Sequence, residues 1–485
     1  MSVANKILAQ VPTRLAIGGE WRDADGGHRF AVIDPATEEV IADVADASAN
    51  DGLAALTAAA AAQPAWSAKA PRQRAEILRR AFTLMHEHGE NLARLIVLEN
   101  GKPLAEARSE VAYAAEFFRW FSEEAVRLDG TIVTAPAGGN RIVVVHQPIG
   151  VALLVTPWNF PAAMATRKIA PALAAGCAVV LKPASETPLT ALAVARILVE
   201  AGVPSGVVNV VPTSANAELV SAMLADGRIR KLSFTGSTEV GRLLLAQAAK
   251  RVVKCSMELG GNAPFIVFSD ADLDAAIEGA MIAKMRHNGE TCTAANRFYV
   301  EKSVADAFTR RLTERMASLK MGNGLDPSVQ VGPLINAEAR DKVVRLVDGA
   351  IAAGARARTG GLVPRGRGFF YPPTVLADVE ARSPILAEEI FGPVSPIVTF
   401  TDADEVIRLA NATEQGLLAY VYTRDLARGL RIAEALETGM VGLNRSLVSD
   451  PAAPFGGVKQ SGIGREGGRE GILDYTETKY IAVTW

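Results

Sequence analysis

The spacing of apolar and polar residues changes period along the chain. Between 14 and 45, short apolar runs such as Leu15-Ala16-Ile17 are cut by Gly18-Gly19 and Asp34-Pro35, which predicts strands and turns. From about 50 to 128 the period is helical: the Ala-rich 52–62 stretch, the Ile77/Leu78/Ala81/Phe82/Met85 face and 104–127 repeat apolar residues at i, i+3 and i+4. Pro64, Pro71, Gly89 and Gly101-Lys102-Pro103 punctuate these helices. An unbroken apolar strand at 151–155 and further strands at 178–181, 207–211 and 231–234 then alternate with helices at 162–175, 188–201, 216–225 and 238–249. Apolar strands without polar alternation imply a parallel sheet covered on both faces, with its ligand beyond the carboxyl ends of the strands. That edge carries Thr156-Pro157-Trp158-Asn159, Lys182-Pro183-Ala184-Ser185 and Thr235-Gly236-Ser237. A second α/β unit over about 260–455 opens with a strand at 264–268 and a helix at 272–286, N-capped by Asp272. A hairpin over 131–146 and a strand at 475–485 stand outside this alternation and suggest a small accessory sheet suited to subunit contact.

At 485 residues the chain exceeds what one hydrophobic core sustains, so two or three domains are expected. Its 51 Lys+Arg balance 53 Asp+Glu, leaving no basic surplus for nucleic acid or an anionic membrane. Cys177, Cys255 and Cys292 are widely spaced with no CxxC, which excludes a disulfide scaffold and a zinc ribbon and fits a reducing compartment. The N-terminal segment lacks an apolar core of signal-peptide length, and no run approaches the roughly 20 residues of a membrane span. A cytoplasmic protein is expected.

Cys292 stands out because its neighbours in Asn288-Gly289-Glu290-Thr291-Cys292-Thr293 are not apolar. It reads either as core filler or as a thiol held by a loop at the mouth of a cleft. Glu258, opening into Leu259-Gly260-Gly261, is an exposed strand end or a general base. Asn159 serves a turn or donates its amide to a developing oxyanion. Lys182 ends a buried strand, a poor packing choice that favours a phosphate or ribose partner. Gly236-Ser237-Thr238-Glu239-Val240-Gly241 suits a phosphate at a helix start and a plain capped turn equally well. The literal GxGxxG at 462–467 follows no apolar strand and lies in no βαβ unit, so it is rejected as a dinucleotide fingerprint and expected to be a flexible loop. His287 reads as a surface histidine rather than a partner of Cys292, and five scattered histidines without HExxH leave no metal site.

In order along the chain, Thr156-Pro157-Trp158-Asn159-Phe160-Pro161, Lys182-Pro183, Phe234-Thr235-Gly236-Ser237, Glu258-Leu259-Gly260-Gly261, Gly289-Glu290-Thr291-Cys292 and Glu389-Ile390-Phe391-Gly392-Pro393 resemble the aldehyde dehydrogenase superfamily. The resemblance covers nearly the whole chain. It implies an α/β fold with a parallel-sheet dinucleotide-binding domain (1–128 and 148–258), an α/β catalytic domain (259–455) and oligomerisation strands (129–147 and 470–485). It also implies that Cys292 attacks the aldehyde, passing through a thiohemiacetal and a thioester. Asn159 and the Cys292 backbone N–H would hold the oxyanion, and Glu258 would activate the hydrolytic water. Lys182 and Glu389 would bind the cofactor riboses, Trp158, Gly236, Ser237 and Leu259 would line its site, and Phe391 would flank the nicotinamide.

The segments 453–462 and 464–467 are most similar to the succinate-semialdehyde dehydrogenase branch. That similarity implies a substrate carboxylate held by Arg167, Arg286 and Ser449, a homo-oligomer (dimer or tetramer) and a setting in 4-aminobutyrate degradation. A guanidinium suits a carboxylate because it bonds bidentately. Ala294 stands where some members carry a second cysteine, so no local disulfide switch is expected. Ser185 stands where NAD-specific members place a glutamate, so NADP is expected to be favoured, with NAD accepted. Dehydrogenases for glutarate or 2-oxoglutarate semialdehyde remain alternatives, since one methylene changes binding by only about 1–3 kcal/mol. A catalytically silent binding protein on the same fold and a cysteine hydrolase are the readings from other classes.

Overall fold

The computed structural model describes residues 7–485, so residues 1–6 of the segment read for a signal peptide lie outside the described residues. Strands Val208–Val210, Val179–Lys182, Val151–Val155, Ile229–Thr235 and Lys254–Glu258 lie side by side in that order, all parallel. Val151–Val155 is buried at every position, as unbroken apolar character requires of a strand covered on both faces. The covering helix Pro161–Ala175 is buried all round, starts with proline at its first turn and stops at Gly176, whose φ of 99° only glycine adopts easily. Register aligns Val155 with Lys182 and with Phe234, and Thr235 with Glu258. The polar ends of these strands therefore reach one edge of the sheet.

Both margins of this sheet are antiparallel. Leu15–Ile17 and Glu20–Arg22 close one side, and Gly462–Ile463 pairs with Met257 and Glu258 on the other. The second margin overturns the expectation of a flexible loop at 462–467. A Cβ on Gly462 would meet the Met257 carbonyl oxygen at 1.9 Å, and Glu466 is 5% exposed. These glycines allow close backbone approach rather than mobility. Pro64 also departs from expectation. It lies inside the helix Ala49–Ala68, which begins with a Ser48/Asp51 capping box. The proline removes a helical donor, yet the chain runs on because Trp66, 1% exposed, anchors the last turn in the core.

The second sheet has the order Arg356–Thr359, Thr374–Ala377, Val394–Phe400, Ala295–Glu301, Ala263–Val267, Leu418–Tyr422, Met440–Leu443, parallel except at its first strand. Its helix Leu273–Met285 is capped by Asp272, which accepts from the Asp274 and Ala275 N–H groups. A third, antiparallel sheet joins Thr476–Val483, Arg141–Pro148 and Thr131–Thr134. Among the described residues no helix is long and apolar enough to cross a membrane.

Candidate active site

A cavity of about 790 Å³ separates the carboxyl edge of the first sheet from the second unit. Trp158, Asn159, Arg167, Gly236, Ser237, Glu258 and Leu259 line it from one side; Arg286, Cys292, Glu389, Phe391 and Ser449 line it from the other. Lys182 and Ser185 are not part of its wall. Lys182 donates to Asn216 Oδ1, and burial pushes its ammonium down to about 8. Ser185 Oγ donates to Glu186 Oε2 at 3.2 Å, and Glu186 does reach the cavity.

The helix Leu273–Met285 runs into a tight turn, Arg286–Gly289, in which His287 and Asn288 take left-handed φ values of 48° and 52°. Side chains with a Cβ rarely adopt that conformation, so outside bonds must hold it. Glu106 Oε2 accepts from the His287 N–H at 2.6 Å. Asn288 clasps the Gly332–Pro333 backbone, accepting from Gly332 N–H at 3.1 Å and donating to Pro333 O at 3.0 Å. The chain then delivers Cys292, half-buried, to the cavity. Gly261 lies so close that a Cβ there would meet the Cys292 carbonyl oxygen at 2.2 Å. Burial pushes the Cys292 thiol up to about 12; Glu389 and Glu258 add to the shift, while Arg167 and Arg286 oppose it. At rest the thiol keeps its proton, so attack needs an acceptor nearby.

His287 is fully buried, contrary to the surface position expected from sequence. Its ring meets Phe160 at 5.5 Å and Trp158 at 6.2 Å, both edge-on. Burial lowers its pKa well below the usual imidazole range, and neither ring nitrogen has a hydrogen-bond partner among the described residues. It packs behind the site as a neutral ring and is not paired with Cys292.

Glu258 is 2% exposed, and neither carboxylate oxygen has a hydrogen-bond partner among the described residues. Burial raises its pKa well above the carboxylate range, Glu466 raises it further, and Arg167 and Lys168 pull against both. Glu466 holds the charge of the pair: Lys168 Nζ lies 2.5 Å from its Oε1 and Arg167 Nε 3.6 Å from its Oε2. Environments that push two carboxyls apart in this way suit one of them to proton transfer. Sequence reasoning passes over Lys168 and Glu466. The available signal was a lysine inside the all-buried helix Pro161–Ala175, where a cation must have a partner.

At the far end of the cavity the two arginines differ. Arg167 is 3% exposed, donates to Tyr113 Oη at 2.9 Å and lies over the Phe455 ring at 4.0 Å. Arg286 is half-buried against Phe160 (4.9 Å) and Tyr113 (5.9 Å) and forms no ion pair among the described residues. Tyr113, which touches both, carries no sequence signal because it comes from the distant helix Leu104–Glu124. Asn159 donates one amide hydrogen to the Glu290 carbonyl at 3.0 Å, leaving its second for the cavity it lines.

The opposite end fits a dinucleotide. Ser237 caps the helix Thr238–Ala249 by accepting from Val240 N–H, and this helix start, which favours phosphate, faces the cavity. Trp158 and Phe391 meet edge to face at 5.5 Å and form a wall for a planar ring. Glu389 accepts from Gly261 N–H at 3.0 Å, and removal from water pushes its carboxyl up to about 7, leaving an oxygen for sugar hydroxyls.

A profile described as the aldehyde dehydrogenase family matches residues 21–481. The chain is similar to the succinate-semialdehyde dehydrogenase of Paenarthrobacter nicotinovorans, at 59% identity over 92% of this chain and 99% of that one. It is 51% identical to the glutarate-semialdehyde dehydrogenase of Pseudomonas putida, over 96% of this chain and 97% of its relative. Its fold matches the crystal structure of an NADP-dependent enzyme of E. coli with a TM-score of 0.97 and 50% identity, covering 98% of each chain. Agreement over both sheets and the cleft between them leaves one conclusion: the chain belongs to the aldehyde dehydrogenase family.

Proposed function

We propose that the protein oxidises short aldehydes carrying an ω-carboxylate, chiefly succinate semialdehyde to succinate, with NADP favoured and NAD accepted. The observation that carries this reading is the Arg286 guanidinium, without an ion pair among the described residues, in the same cavity as Cys292 and Glu258. An anionic tail held there by Arg286, Arg167 and Ser449 leaves the aldehyde at the thiol end. The similarity to enzymes named for succinate and glutarate semialdehyde supports the same substrate class.

Cys292 Sγ adds to the aldehyde carbon as its proton passes to the Glu258 carboxylate. The oxygen that gains charge accepts from the Asn159 amide and the Cys292 backbone N–H, donors worth about 3 kcal/mol each where water is excluded. Bound nicotinamide cofactor supplies a hydride acceptor, and the carbon left on sulfur is a thioester. Glu258 releases the first proton to solvent, then takes one from the water that attacks this thioester, and returning that proton to the leaving sulfur restores the thiol as the acid departs. The proton transfers use a raised-pKa carboxyl and a half-buried thiol, and none requires a histidine.

Ser185 supports the NADP preference, since it neither repels a 2′-phosphate nor demands a free hydroxyl there. The free cysteines fit a cytoplasmic setting. The third sheet, exposing Ile132, Val133, Tyr480 and Ile481, is read as the subunit contact of a dimer or tetramer. A panel of C4 and C5 semialdehydes and an uncharged aldehyde of equal length, each with both cofactors, tests the reading. Succinate semialdehyde with NADP is expected to give the highest kcat/KM. Equal turnover of the uncharged aldehyde would sink the carboxylate clamp, and a C5 preference would move the assignment to glutarate semialdehyde.

A further inference from the structure

A cluster of buried charge lies behind the cavity, in the 99–110 segment, and takes no part in the steps above. Lys102 is fully buried, yet its ammonium lies 2.5 Å from Glu110 Oε2, 2.7 Å from the Asn159 carbonyl oxygen and 4.0 Å from the centre of the Phe160 ring. Three N–H donors thus meet a carboxylate, a backbone carbonyl and an aromatic face. The second oxygen of Glu110 accepts from Ala162 and Ala163 N–H at 2.9 and 3.3 Å, the open donors at the start of the helix Pro161–Ala175. Two residues before Lys102, Asn100 Nδ2 donates to the Trp158 carbonyl at 3.0 Å. The loop that carries Asn159 is therefore gripped through its backbone on both sides of that residue.

We propose that Lys102, clamped by Glu110, is a positioning residue for the reaction: it fixes the Asn159 backbone so that the side-chain amide meets the forming oxyanion. This rests on the reading of Asn159 as an oxyanion donor. A buried ion pair adds little to stability once desolvation is counted, so the pair needs a reason beyond holding the fold together. Geometry supplies one. Asn159 sits between a strand end and a helix start, where neither ladder fixes its peptide, and a displacement of about 1 Å can cost about 100-fold in rate. Lysine suits the place because its compact ammonium donates in three directions, whereas a planar guanidinium would not fit the same three acceptors.

A double-mutant cycle between Lys102→Met and Asn159→Ala tests this, read by single-turnover hydride transfer, aldehyde KM and cofactor Kd. Lys102→Met is expected to slow hydride transfer about 10- to 100-fold while KM and Kd stay within about twofold. In the Asn159→Ala background the same change should cost less than about threefold, because the residue it acts through is gone. An equal loss in both backgrounds, or a wild-type rate for Lys102→Met, overturns the proposal. Should the single variant fail to fold with Glu110 left unpaired, Lys102→Met/Glu110→Gln removes both charges, keeps an acceptor for Ala162 and Ala163, and runs through the same cycle. A wild-type rate for Asn159→Ala alone would instead remove the oxyanion reading, and the proposal with it.

Discussion

The two walls of the cleft hold their reactive groups by different means. On the first, Glu258 and Thr235 are register partners at the ends of parallel strands, so a regular ladder places the proposed base. On the second, Cys292 follows a turn with His287 and Asn288 in left-handed conformations, and Phe391 takes another at φ 56°. A ladder shares its load over many equivalent bonds. The turn depends on a few side chains, chiefly Glu106 and Asn288, and stores strain that the surrounding packing must offset. The nucleophile wall is therefore the more sensitive to change outside its own chemistry, while the base wall is sensitive mainly at the base.

The chemical residues set the upper limit of effect on each wall. Cys292→Ala should lower NAD(P)H formation by more than about 1,000-fold with cofactor affinity intact, by absorbance and by titration; retained activity would end the thioester mechanism. Glu258→Gln should cost about 100- to 10,000-fold in kcat. The wild-type pH profile belongs with it. Burial raises the Glu258 pKa, so its working carboxylate form grows as pH rises through that raised value, and kcat should rise over the same range. A Glu258→Gln profile just as steep would assign that rise to another group.

The arginines divide the other way, because the buried ion pair lies on the base wall. Arg286→Ala should raise KM for the semialdehyde about 10- to 100-fold, with little change for an uncharged aldehyde and none in Tm. Arg167→Ala should also lower Tm, because it strips a partner from buried Glu466. The smallest effects compare the walls directly. Asn288→Ala breaks two buried bonds and leaves the φ of 52° without the amide that holds it, so denaturant unfolding should show a loss of about 2–4 kcal/mol. Thr235→Val, beside the base on the ladder, should change stability and kcat little. If the two variants behaved alike, the contrast between ladder and turn would fail.

Much of this architecture is legible from local pattern. The parallel strands announce themselves because burial on both faces removes polar alternation, and Asp272 marks its helix because a carboxylate there meets free N–H groups. Cys292, Glu258 and Asn159 stand in recognisable surroundings for the same reason: the loops that hold them need particular neighbours. The failures are equally physical. In 462–467 a glycine means either freedom or close approach, and only the Met257 carbonyl, far away in sequence, decides for close approach. His287 looks solvated among polar neighbours, yet Phe160 and Trp158 from another unit bury it.

The sequence by itself determined which segments form strands and helices and where the sheet presents its ligand edge, and it singled out Cys292, Glu258 and Asn159, which the structure brings to one cavity. Those properties depend on residues within a turn or a strand of one another. Only the tertiary structure decided which buried charges meet. Lys168 and Glu466 stand 298 residues apart, Arg167 and Tyr113 54 apart, and Lys102 and Asn159 57 apart. Coulomb interaction and desolvation depend on distance through the folded interior, not along the chain. The raised pKa of Glu258, the paired state of Arg167 and the grip on Asn159 therefore exist only once the walls have closed on one another.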